Sequence, residues 1–203
     1  MVGRIRVFAS LGLVLAALAA GEGIAFAGDS AQDFIQSRQS QVTALLRQSA
    51  SAQRDKQVAA VLDGMMDYGE LAKRSLAAHW SELSDAQQKE FTDILKRLVQ
   101  RNYERNIKNI QEYKVEYLGE EPGSDGVIVH TRASSTTNQR EEPISIDYRL
   151  QQMGGSWKVV DIVTEGSSLV NNYKNQFHRI IQKDGYNALV KKMKDKLAKG
   201  QTA

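Results

Sequence analysis

Three histidines, His79, His130 and His178, and the acid of the stretch WKVVDIV, Asp161, are the residues of this 203-residue chain best suited to metal or acid–base chemistry. A zinc-binding helix places two histidines four residues apart around a glutamate, because i and i+4 share one helix face. None of the three has a second histidine at that spacing. His79, beside Trp80, reads as a packing residue at a helix end with a bonded ring nitrogen, and His130 as a solvated residue alternating with the apolar face of its strand. Nucleophilic chemistry has no better footing: there is no G-x-S-x-G, no cysteine, and the serines of SSTTNQ fall in a polar loop. Gly154-Gly155 reads as a hairpin turn, without the spaced glycines and lysine of a phosphate-binding loop. No metal-ligand or cofactor motif is found.

Under strict alternation Asp161 shares a face with Trp157, Val159 and Val163. A carboxylate facing a dry cavity has a raised pKa and can serve as a general base. Asp147 and Arg149 flank Tyr148 on the neighbouring strand. The alternative is therefore a carboxylate bonded to a strand side chain or a backbone amide, holding the sheet together.

The elements that must position these residues fall into three blocks. Helical periodicity runs through Asp29–Gln48, then through Val58, Val61, Leu62, Met65 and Met66, then through DYGELAKRSLAAHW. Ser84-Asp85-Ala86-Gln87 forms a capping box, and the stripe from Phe91 through Leu98 to Ile110 predicts a long helix behind it. After Gln111 the period drops to two, giving four short strands separated by EEPGSDG, SSTTNQREEP and QMGGS. The tail returns to helix in two stripes, stopped by Gly185 and Gly200. This order predicts an α+β fold in which helices pack on one face of a twisted four-stranded antiparallel sheet. The three blocks hold many large apolar side chains, which either close-pack or, if the sheet curls, line a hollow for a hydrophobic ligand.

Arg4 and Arg6, the apolar run VFASLGLVLAALAA and the small-x-small site Ala25-Phe26-Ala27 read as a cleavable signal peptide over residues 1–27, leaving 28–203 as a single soluble domain. Without cysteine, the exported domain has neither disulfides nor a lipidated cysteine. The 27 basic and 24 acidic residues leave a formal net charge of +3, which argues against a nucleic-acid binder. The lysines of VKKMKDKLAKG suit an anionic membrane or an acidic partner, and equally suit plain solvation.

The segments LAKRSLAAHWSELSDAQQKEFTDILKRLVQRNYERNI and ISIDYRLQQMGGSWKVVDIVTEGSSLVNNYKNQFHRIIQKDGYNALVKKMKDKL resemble the MlaC-type periplasmic lipid carriers, or toluene-tolerance auxiliary proteins. The likeness extends from Gln32 to Leu197 and is most specific at Asp147–Leu150, Trp157–Asp161 and Glu165–Ile181. It implies a non-enzymatic, cofactor-free, monomeric periplasmic shuttle that passes phospholipid between an outer-membrane lipoprotein complex and an inner-membrane ABC transporter bearing an MCE ring, maintaining outer-membrane lipid asymmetry. The implied fold is a cone similar to nuclear transport factor 2, with acyl chains between sheet and helices. Candidate lining residues are Leu98, Tyr103, Ile107, Val129, Ile146, Tyr148, Val163, Tyr173 and Phe177, with Arg101 or Arg105 at a headgroup. Hopanoid or another hydrophobic cargo is the first alternative. An enzyme using Asp161 in a cone-shaped pocket is the second.

Overall fold

The computed structural model describes residues 30–110 and 112–199, and of residues 103–110 the backbone alone. The signal peptide expected over 1–27 lies outside the described residues. Helices α1 (Ala31–Leu46), α2 (Ala52–Met65), α3 (Tyr68–Leu76) and α4 (Asp85–Ile110) precede a sheet, and α5 (Leu169–Asp184) and α6 (Tyr186–Ala198) follow it. The sheet is an antiparallel meander in the order β1 (Tyr113–Pro122), β2 (Val127–Ser135), β3 (Ile144–Met153), β4 (Ser156–Thr164) and β5 (Ser167–Ser168).

Helix starts are specified locally, by side chains that take up amides with no partner inside the helix. Ser30 accepts from the Asp33 amide while Asp33 returns a bond to the Ser30 amide. Ser51, Asp67 and Ser168 each accept from the amide three residues on. The expected capping box opens α4: the Gln87 amide donates to Ser84 Oγ at 3.4 Å and the Ser84 amide donates to Gln87 Oε1 at 2.9 Å. The stretch DYGELAKRSLAAHW, expected as one helix, breaks at Ala77, whose φ of 50° turns the chain into the 3-10 segment Ala77–Glu82.

The sheet has five strands where four were expected. β5 is only two residues long, too short for an alternation to register, and pairs with Val163 and Thr164 across the two-residue turn Glu165-Gly166. Both turn residues have positive φ, 49° and 73°, as a tight hairpin of type I′ requires.

A second difference concerns the faces of β4. Arg149 pairs with Asp161 and Leu150 with Val159, so Val160 is an extra, bulged residue. Alternation counts only while each residue has one partner, and a bulge reverses it. Ile162 therefore joins Trp157 and Val159 on one face, and Asp161 lies with Val163 on the other. The expectation that Asp161 shares a face with Trp157 and Val159 is overturned.

Two large apolar cores result, beside a smaller cluster of Val42, Leu46 and Val58 that joins α1 to α2. The first lies within α3, α4, α5 and α6, where Phe91 meets Phe177 edge-on at 5.5 Å and Phe177 stacks on Tyr173 at 5.2 Å. The second lies between α1 and the sheet and includes Ala31, Ile35, Leu150, Trp157 and Val159. They meet at Met66, which packs against both. Met66 bridges to Val159 as a parallel neighbour, and the Asp67 amide donates to the Val159 carbonyl at 3.1 Å, so the start of α3 seals part of the β4 edge.

Candidate functional site

The strand registers arrange the face under α1 in four rows: Val127–Leu150–Val159, Val129–Tyr148–Ile162, Tyr117–Thr131–Ile146–Thr164, and Val115–Ala133–Ile144. In the first row Leu150 and Val159 are buried, in one cluster with Ala31 and Ile35 of α1 and with Met65 and Met66 at the end of α2. Beyond it Val129, Thr131 and Ala133 of β2 stay buried, but their neighbours on the flanking strands do not. Tyr148, Ile162, Tyr117, Ile146, Val115 and Ile144 are all half-buried. Thr131 is buried in the middle of this surface, but its hydroxyl is spent on the Ile146 carbonyl at 2.7 Å, so it presents no unpaired polar group. The floor is therefore apolar, continuous and incompletely covered.

Along β1 this floor opens into a groove of about 350 Å³, within the range of small-molecule pockets. One wall is the polar stripe of α1: Gln36, Gln39, Ser40, Thr43 and Arg47, at spacings that share a helix face. The other is Val115 and Tyr117. The Tyr117 hydroxyl donates to Gln39 Oε1 and so ties the two walls together. Burial, then the proximity of Tyr148, pushes the Tyr117 phenol well above its usual pKa, and burial raises that of Tyr148, so both stay neutral donors at physiological pH. The hydroxyl of Tyr148 has no hydrogen-bond partner among the described residues.

The residues expected to line a cavity divide between the two cores. Val129, Ile146 and Tyr148 come together on the sheet floor. Leu98, Tyr173 and Phe177 come together in the helical core, where burial raises the Tyr173 phenol to about 12. The crevice they line encloses only about 30 Å³, room for a few water molecules at most. Val163 is on the opposite face of the sheet, paired with Asp147 and Ser168. The side chains of Tyr103, Ile107 and Arg105 lie outside the described residues. Arg101 donates from Nη1 to the carbonyl of Leu197 in the last turn of α6, a cation on the orphan carbonyls of a helix end.

Asp161 is 3% exposed and accepts from Ser168 Oγ at 2.7 Å, the Val170 amide at 3.0 Å and the Ile162 amide at 2.9 Å. Arg149 Nη1 stands 3.7 Å away. These partners fix the start of α5 against β4, leaving the carboxylate aimed at a helix terminus instead of a cavity. This agrees with the bonded alternative read from the sequence. His79 and His178 face each other across the 3-10 segment and α5, Nε2 to Nδ1 at 3.1 Å, and His79 Nδ1 meets Glu82 at 3.3 Å. His130 is half-buried instead of solvated, with Nδ1 at 2.9 Å from Asp147 and Nε2 at 3.4 Å from Glu121. Its pKa is raised, chiefly by the Asp147 hydrogen bond. Among the described residues no group of three or more His, Cys, Asp or Glu could hold a metal ion, and no helix is long and apolar enough to cross a membrane.

Sequence reasoning missed the α1 groove because its donors are ordinary surface residues. Their common face would have shown in a search for polar instead of apolar periodicity.

Comparison with known proteins supplies context for this open floor. The MlaC protein family model matches residues 35–195. The "Intermembrane phospholipid transport system binding protein MlaC" of Haemophilus influenzae is 22% identical over 120 residues, 58% of this chain and 56% of its own length. The match thus spans little more than half of that relative. A solved structure of a phospholipid-binding protein from Ralstonia solanacearum, in complex with a phospholipid, superimposes with a TM-score of 0.72 at 25% identity, covering 85% of this chain and 99% of that one. Since the family model extends through both cores and the sheet that carries the floor, this chain belongs to the MlaC family.

Proposed function

We propose that the protein is a periplasmic carrier of phospholipid, holding acyl chains against the half-open sheet face. The observation that carries this reading is the contrast within one surface: Leu150 and Val159 are buried, while Tyr148, Ile146, Ile144 and Ile162 remain half-buried. Leaving such side chains partly wet costs stability, and an acyl chain recovers it at about 0.8 kcal/mol per methylene buried. Membership of the MlaC family and the phospholipid held by the Ralstonia solanacearum neighbour support the same cargo.

In this reading residues 1–27 direct export and are removed, and 28–203 form a single lipid-binding domain. The cargo is exchanged between an outer-membrane lipoprotein complex and an inner-membrane MCE transporter, one lipid per monomer. Val129, Ile146 and Tyr148 form the floor, and Tyr103 and Ile107 remain lining positions expected from the sequence. Leu98, Tyr173 and Phe177 come into contact with cargo only if the helices part, and Val163 supports the floor from behind. No catalytic step is needed. The bonded state of Asp161 favours a structural acid over a general base.

The test is direct. The mature chain, purified from bacteria without detergent, is extracted with organic solvent and its lipids identified by mass spectrometry. Phospholipid at near one per chain is the expected result. A chain that folds and yields no lipid sinks the proposal, and a polycyclic lipid in place of phospholipid replaces its cargo.

A further inference from the structure

We propose that the groove between α1 and β1 binds the phosphate-bearing headgroup of the lipid, with Arg47 as the phosphate ligand. This rests on the carrier reading above and deepens it by assigning a headgroup site.

The case begins with charge. Arg47 lines the groove, and its guanidinium has no hydrogen-bond or ion-pair partner among the described residues. Arg54, Arg74, Lys96, Lys192 and Lys194 pair with carboxylates and Arg101 binds a carbonyl, while other cations such as Arg97, Arg132 and Arg140 are, among the described residues, unpaired like Arg47 but do not line this groove. A planar guanidinium presents a fork of donors that matches two oxygens of a phosphate.

The neighbouring donors fit the same ligand. Ser40 and Thr43 occupy the turn before Arg47, and Gln36 and Gln39 the turn before that, so neutral donors run along the groove from the cation. Gln39 Oε1 accepts from the Tyr117 hydroxyl, which leaves its amide NH2 as a further donor on this wall. A wall of one cation and several neutral donors suits a phosphodiester or phosphomonoester with attached hydroxyls. Opposite, Val115 and Tyr117 give an apolar wall.

Geometry connects this groove to the floor. Val115 and Tyr117 belong both to the groove and to the last two rows of the sheet face, next to Ala133 and Thr131. A molecule that lies across both is polar at the α1 end and apolar toward Ile146 and Tyr148. A glycerophospholipid has that polarity. The space of about 350 Å³ is adequate for a headgroup and too small for two acyl chains as well, consistent with tails lying on the floor beyond.

The experiment compares two lipids with identical acyl chains, phosphatidylglycerol and diacylglycerol, for retention by the delipidated mature protein and by Arg47→Ala, Arg47→Lys and Ser40→Ala/Thr43→Val. Glycerol 3-phosphate is tested alone by NMR as the source of phosphate without tails. The wild type is expected to hold phosphatidylglycerol roughly tenfold more tightly than diacylglycerol, and Arg47→Ala to lose that tenfold for the phosphate lipid alone. Arg47→Lys keeps the charge without the fork and should recover part of it. The double variant should weaken the phosphate lipid less than Arg47→Ala does. Equal retention of both lipids by wild type and Arg47→Ala overturns the headgroup site and leaves the carrier reading standing. Failure of the wild type to retain either lipid overturns both. Binding of glycerol 3-phosphate in the groove without any preference between the two lipids shows a free-anion site, which also overturns the assignment to a headgroup.

Discussion

The two cores are built from the same kinds of side chain and differ in what closes them. In the helical layer each stripe meets another, Phe91 and Leu95 of α4 against Phe177 of α5 and Leu189 of α6, and the crevice beside Leu98, Tyr173 and Phe177 holds only about 30 Å³. On the sheet face α1 lies over β1 and β2 while Met65 and Met66 at the end of α2 join the cluster around Val159. Leu150, Val159 and the middle of β2 are buried, and Tyr117, Ile144, Ile146, Tyr148 and Ile162 are left half-open. The difference teaches that apolar content alone does not mark a ligand site. An excess of apolar surface over the elements available to cover it does.

Mutations separate these regions. The largest effect is expected from Phe91→Ala, which should cost about 4 kcal/mol in urea unfolding of the lipid-free protein, through a cavity its neighbours cannot refill. Lipid content per folded chain should be unchanged, and a selective loss of lipid would break the division between the cores. Asp161→Ala should follow, at about 3 kcal/mol, because Ser168 and the amides of Ile162 and Val170 lose their acceptor in a buried site. Thermal melts should show loss of stability in any buffer, whereas a general base would reveal itself by a change in turnover with folding intact.

On the floor the order reverses. Ile146→Asp should lower phospholipid retention roughly tenfold in a fluorescent-lipid exchange assay, while stability changes by only about 1 kcal/mol because the site is half-open. A variant that holds lipid normally would place the cargo elsewhere. The smallest effect belongs to His130 on the opposite face. Its pKa is raised in the fold by hydrogen bonding to Asp147, and then by Glu121. The stabilisation is thus full below the ordinary imidazole pKa and disappears as pH rises through the higher folded value. Chemical unfolding from below to above that window should show a decline of a few tenths of a kcal/mol, reduced by solvent screening, and His130→Gln should abolish it.

Much of the architecture was legible before the structure. The Ser84–Gln87 capping box, the Phe91–Leu98 stripe and the alternation in Ile144–Leu150 are local signals, and each appears where its periodicity put it. What failed were features that depend on a partner. Val160 is a bulge only because β3 pairs around it, so the face of Asp161 could not be counted from one strand. β5 exists only because the Glu165-Gly166 turn folds it back. Arg101 looked available because its acceptor, the Leu197 carbonyl, is 96 residues away. The site was legible as an abundance of large apolar residues. Its division between a solid core and an open floor was not, because apolar stripes look alike whether they meet another stripe or empty space.

The chain order of the helical layer has a further consequence. α4 ends at Ile110 and its cover, α6, begins at Tyr186, so the whole meander is synthesised between the two halves of one core. Before α5 and α6 join them, Phe91, Leu95 and Leu98 have only α3 to dock on, and closing so long a loop is slow compared with zipping neighbouring strands. The helical core is thereby kept from locking shut before the meander has formed and α5 and α6 have folded back over it.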